Sequence, residues 1–91
     1  MIKKFNLGVC ASTPAAQDLL TSYNKTAQEF ILRHAACDWG DVGCDDAHAN
    51  DMSVKSGDQI LSVYHLAPGK SVWVITEGNR VATTVLLPED Y

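Results

Sequence analysis

Ile60-Leu61-Ser62-Val63-Tyr64-His65-Leu66, Val72-Trp73-Val74-Ile75-Thr76 and Val81-Ala82-Thr83-Thr84-Val85-Leu86-Leu87 decide how this chain folds. The three runs have a period of two and are rich in β-branched and aromatic residues, as strands are. Ala67-Pro68-Gly69-Lys70 separates the first two, with Pro and Gly in the usual turn positions. Glu77-Gly78-Asn79-Arg80 separates the second from the third, and Gly78 and Asn79 both tolerate positive φ. Pro88 stops the third run. Two tight turns joining three adjacent strands require an antiparallel meander.

Upstream of the meander the period is helical. Thr13 can cap a helix whose first position is Pro14, where a missing N–H does no harm. Ala16, Leu19, Leu20 and Tyr23 follow at helical spacing, with a stop expected near Asn24. Thr26-Ala27-Gln28-Glu29 reads as a capping box, and Phe30, Ile31, His34 and Ala35 then share a face, with Gly40 ending the unit. Asp38 to Asp46 is a loop by composition. Asp45 and Asp46 suit the first turn of a third, surface-lying helix that stops at Gly57. Phe5 to Ala11 reads as a short strand or an extended lead-in. The class expected is α+β: two or three N-terminal helices packed on a three- to four-stranded antiparallel meander, one domain over residues 1–91.

Composition narrows the functions. The 91 residues are 46% hydrophobic and 20% charged, which suits one globular core and is too apolar for disorder. No apolar run approaches the roughly 20 residues that span a bilayer. The stretch after Met1-Ile2-Lys3-Lys4 is too short and polar for a signal peptide, so a cytoplasmic protein is expected. The net charge is −4 and the seven Lys and Arg residues are scattered, which argues against nucleic acid as a partner. Cys10, Cys37 and Cys44 are an odd count without zinc spacing, and are read as free thiols; no metal and no cofactor are expected.

Several of these stretches carry a resemblance. Arg33-His34-Ala35-Ala36-Cys37-Asp38-Trp39-Gly40-Asp41, Leu61-Ser62-Val63-Tyr64, Trp73-Val74-Ile75-Thr76-Glu77, Arg80, and Thr83-Thr84-Val85-Leu86-Leu87-Pro88-Glu89-Asp90-Tyr91 are similar to a family of small bacterial proteins carried on plasmids and other mobile elements. Its members are labelled plasmid-related protein or type I restriction endonuclease subunit. A chain of 91 residues cannot hold a methyltransferase or a restriction nuclease with its motor. This chain departs from the pattern at Cys37, where a glycine is usual, and at the Gly78-to-Val81 turn. The resemblance implies a mobile-element protein. The binding residues assigned on it are Asp38, Trp39, Asp41, Arg80 and Tyr91.

Two further constellations invite chemistry. Asp38, Asp41, Asp45 and Asp46 with His34 and His48 offer oxygen and nitrogen ligands to a divalent ion. The competing role for that loop is structural, with Asp38 and Asp41 capping N–H groups around Gly40 and Trp39 plugging the core. His65, Glu77 and Arg80, with Thr84 and Tyr91, would supply an acid, a base and a phosphate clamp if they met on one sheet face. Helices followed by a meander also resemble the barnase- and RelE-like ribonuclease architecture in outline. The expectation is a small non-catalytic binding or regulatory protein acting through a protein partner, such as a nucleic-acid-handling or defence enzyme of the host, or through self-association. The alternative is a metal-independent ribonuclease or toxin-like domain.

Overall fold

The alternation of the C-terminal third sorts its side chains onto two sheet faces, and the helices cover one of them. A computed structural model describes residues 3–91. The chain forms β1 (Val9–Ser12), α1 (Pro14–Ser22), α2 (Ala27–Ala35), α3 (Cys44–Ser56), β2 (Ile60–Ala67), β3 (Lys70–Thr76), β4 (Ala82–Leu86) and a closing 3-10 turn (Pro88–Asp90). The sheet order is β1-β4-β3-β2.

The meander β2-β3-β4 is antiparallel, as its turns require. The fully antiparallel sheet is corrected: β1 runs parallel to β4, with Val9 opposite Ala82 and Ser12 opposite Val85. A parallel pair needs a long crossover, and the three helices with the meander supply it. The helices are therefore not simply N-terminal, since β1 precedes them.

The helix boundaries follow from local chemistry. Thr13 caps α1 by accepting from the Ala16 N–H, and its hydroxyl donates to Asp90 Oδ2 at 2.8 Å, tying the two ends of the chain together. Thr26 accepts from the Glu29 N–H at 3.3 Å, but Glu29 pairs with Lys25 and does not reach back, so only half of the box forms. Past α2, the Cys37 N–H bonds to the His34 carbonyl and the Asp38 N–H to the Arg33 carbonyl, which is a Schellman ending. Cys37 holds the left-handed position, φ 67°, that glycine occupies without steric cost. The second turn of the meander also differs from expectation. Its positive φ falls on Arg80 (62°), not on Gly78 or Asn79.

Ala16, Leu20, Phe30, Tyr64, Val72, Val74 and Val85 form the main core between α1, α2 and the inner sheet face. Phe5, Leu7, Ala35, Trp39 and Ile60 form a second cluster beside it. Complete burial of Leu20 alone contributes about 2 kcal/mol.

The free edge of β2 is closed residue by residue. Asn50 of α3 donates to the Leu61 carbonyl at 2.7 Å and accepts from the Leu61 N–H at 3.2 Å. Val63 gives its N–H to the Trp39 carbonyl and takes the Asp41 N–H, and Asp41 Oδ2 accepts the His65 N–H at 2.9 Å. An edge that would template another strand is thereby occupied.

Gly40 makes that closure possible. Its φ is 73°, and a Cβ there would overlap the Val63 carbonyl oxygen and the Tyr64 ring. Gly40→Ala should therefore cost at least about 3 kcal/mol, because left-handed strain and a backbone clash add. Urea denaturation checks this, and a loss below about 1 kcal/mol would show that the loop closes the edge some other way.

Candidate functional site

The Asp38-to-Asp41 loop carries the most chemistry-bearing residues in the shortest span, and the structure gives each a partner. Asp38 Oδ2 lies 2.7 Å from Arg33 Nε, and its other oxygen accepts the Gly40 N–H at 3.2 Å. The Arg33 hydrogen bond holds the Asp38 carboxyl below its ordinary range. Arg33 in turn lies over the Tyr64 ring, 4.5 Å from its centroid. The Tyr64 hydroxyl donates to the Asp38 carbonyl, and burial pushes that phenol up to about 12.

Trp39 is 6% exposed, packs its ring near Phe5 and His34, and donates its indole N–H to Asp51 Oδ1 at 3.0 Å. The structure places Trp39 in the second core cluster, the structural position named for it beside the binding one. Asp41 accepts both the backbone N–H and the ring of His65, which together lower its pKa. Asp38 and Asp41 thus turn to different partners. Among the described residues no three His, Cys, Asp or Glu side chains converge as metal ligands.

His34 leaves the ligand set for a different reason: it is fully buried. Its Nδ1 lies 2.6 Å from Ser62 Oγ and its Nε2 lies 2.9 Å from Thr76 Oγ1. Thr76 Oγ1 lies 2.8 Å from Thr83 Oγ1, and the Thr83 hydroxyl donates to the Leu7 carbonyl at 2.7 Å. A hydroxyl has one proton to give, so the directions are fixed. Thr83 gives its proton to Leu7, Thr76 gives to Thr83, the His34 Nε2–H gives to Thr76, and Ser62 gives to Nδ1. The imidazole is the neutral Nε2–H tautomer. Desolvation, with the Arg80 charge in support, lowers its pKa to about 4.

The set His65, Glu77 and Arg80 does not assemble. His65 is exposed and opposite Ser71, while Thr76, just before Glu77, is opposite Ile60. Five residues of strand, about 17 Å, separate the two positions along β2. Arg80 lies in the turn, not on a strand face. Its guanidinium donates to the Ser53 and Asp58 carbonyls, each at 2.7 Å, and sits over Phe5. It serves the C-terminal end of α3, where a cation offsets the helix dipole. These three residues therefore do not meet in the arrangement that 2′-hydroxyl attack on RNA needs.

The outer sheet face holds what sequence reasoning left open. Register places Val63, Trp73 and Leu86 in one cross-strand row and Leu61, Ile75 and Thr84 in the next. Tyr91 is 73% exposed, and its ring centroid lies 5.6 Å from that of Trp73. Leu61 and Val63 continue into a depression of about 310 Å³ whose lining includes Asp41, Asp46 and Asn50. The register, with Val63 opposite Trp73 and Tyr64 opposite Val72, puts Trp73 and Tyr64 on opposite faces, and the helix layer buries Tyr64. Asn50 was missed altogether; its sole signal is a polar residue at the inward position of a helix with a thin apolar face. Comparison with models of protein families, with curated proteins and with solved structures finds no match to this chain.

Two outcomes follow. The native His34 titrates near 4 and the unfolded one near 6.5, so between those values the unfolded chain binds the extra proton. Stability should be full above pH 6.5 and fall by on the order of 3 kcal/mol as the pH drops to 4. Urea midpoints across that window measure it, and a flat profile there would contradict a buried neutral ring. Separately, wild type and His65→Ala should leave RNA equally intact with EDTA present. Cleavage by wild type alone would reinstate a ribonuclease.

Proposed function

We propose that this is a small non-catalytic binding protein of a mobile element that acts through a protein partner. The observation that carries this reading is the outer sheet face, where the tilted rings of Trp73 and Tyr91 meet beside the half-buried Val63 and Leu61. Rigid aromatic groups on a flat sheet supply contact area at low entropic cost. Asp41 and Asp46 at the adjoining depression give the patch an acidic margin, in keeping with the net charge of −4.

The partner this suits has an apolar centre and a basic rim, such as the channel of a nucleic-acid-handling enzyme. Acidic side chains there would compete with phosphates for the partner's cations. The mobile-element assignment rests on the sequence resemblance alone. The engagement of Asp38 by Arg33, of Arg80 by the Ser53 and Asp58 carbonyls, and of the buried His34 by Ser62 and Thr76 supports a protein that works by surface and not by chemistry.

The test is retention of a defined protein from host lysate by the tagged protein. Trp73→Ala combined with Tyr91→Ala should abolish retention while leaving the far-ultraviolet circular dichroism unchanged. Retention should also weaken as salt rises. Recovery of the wild type alone in repeated trials, or retention unaffected by the double substitution, would sink the proposal.

A further inference from the structure

The two edges of the sheet are treated oppositely. The β2 edge is closed by Asn50, Trp39 and Asp41. Among the described residues nothing closes the β1 edge. Val9 and Thr13 give their N–H groups to the Val81 and Val85 carbonyls, so the parallel ladder engages Val9, Ala11 and Thr13. Alternation turns the main-chain groups of Cys10 and Ser12 outward. Among the described residues no strand, side chain or loop bonds to them.

A groove lies beside this open edge. It holds about 300 Å³ and is lined by Leu7, Cys10, Gln28, Ile31 and Leu32. Gln28, Ile31 and Leu32 sit at i, i+3 and i+4 on one face of α2. Cys10, opposite the inward-facing Thr83, points to the same side of the sheet yet remains exposed. The helix layer therefore stops short of β1. A strand added to β1 would lie along the flank of α2, with alternate side chains over the groove.

We infer that β1 and α2 form a docking site for an extended peptide segment that pairs with the Cys10 and Ser12 main chain and seats a large apolar side chain between Leu7, Ile31 and Leu32. Outward-facing N–H and C=O groups that water hydrates in the free protein are matched in spacing and direction by another extended backbone, which points to the class of ligand. The groove selects the side chain. A second copy of this chain fits poorly. Its β1 would place only Cys10 and Ser12 over the apolar groove, and both are too small to fill it. The site is separate from the outer face: it uses an edge and the helical side of the sheet.

The probe is a capped peptide of alternating leucine and threonine, titrated into the isotope-labelled full chain and read by amide chemical shifts and hydrogen exchange. Saturable shifts should centre on Cys10, Ser12, Ile31 and Leu32. The Cys10 and Ser12 amides should slow at least tenfold in exchange, while Val9 and Ala11, already bonded to β4, change little. A peptide N-methylated on the edge-facing amides should bind at least tenfold more weakly, a comparison that leaves the protein untouched. Leu32→Glu should do the same with native circular dichroism. Four results would overturn the inference: no saturable shift up to about 1 mM peptide; full binding by the N-methylated peptide; shifts confined to the Trp73 face; or concentration-dependent protection of Cys10 and Ser12 without peptide, which would make a second copy the occupant.

Discussion

The imidazole of His34 has hydrogen-bond partners on both sides, and the protein is arranged around satisfying it. Ser62 stands on β2, Thr76 on β3, Thr83 on β4, and the Leu7 carbonyl on the segment entering β1. One relay therefore links α2, the three strands of the meander and the N-terminal lead. Each donor has one acceptor, and among the described residues no buried side-chain nitrogen or oxygen lacks a partner. Such a network is favourable only when complete, because an unpaired buried group costs about 1–3 kcal/mol. Completeness fixes register: sliding β3 by one residue would replace Thr76 with Ile75 or Glu77 and strand the ring.

A polar row through a small core also explains why the core comes in two clusters. The main cluster lies under α1 and α2, and the second gathers Phe5 and Trp39 around the flank of His34. Edge-on contacts of the His34 ring with Phe5 (5.4 Å) and Trp39 (5.7 Å) complete its enclosure. Arg80 closes the same region from outside, over Phe5, and its charge opposes protonation of the histidine. The left-handed φ of Arg80 has a physical reason here. That conformation costs a non-glycine residue roughly 1–2 kcal/mol, and hydrogen bonds to the carbonyls of Ser53 and Asp58 offset it.

Local features of this fold were readable and non-local ones were not. The meander, its Pro68-Gly69 turn, the Thr13 and Thr26 caps and the stop of α3 at Gly57 are each written within a few neighbouring residues. The parallel pairing of β1 is not, because Val9-Cys10-Ala11-Ser12 has no alternation of its own and its partner lies some seventy residues away. His34 reads as the apolar-face residue it is, but its hydroxyl partners are 28 and 42 positions distant and leave no mark in the neighbouring sequence. Arg80, Glu77 and His65 share a meander in sequence. Which end of it each occupies depends on register, and register is what one strand's sequence does not state.

The acidic loop shows how sequence chemistry can be consumed by structure. Asp38, Trp39 and Asp41 look like a site because polar and aromatic residues crowd a glycine. In the fold they do for β2 what a further strand would do, and Asn50 completes the row from α3. A domain of this size has few surplus residues, so closing one edge with side chains uses polar groups that a catalytic centre would need. Among the described residues, what remains without a partner is main chain on β1, beside the half-buried apolar surface around Trp73. Both are surfaces of the kind that bind by shape and by main-chain hydrogen bonds. Within the sheet the β2 edge is closed while nothing among the described residues closes the β1 edge, and the outer face buries Ile75 and Leu86 but leaves Trp73 and Val63 half-buried.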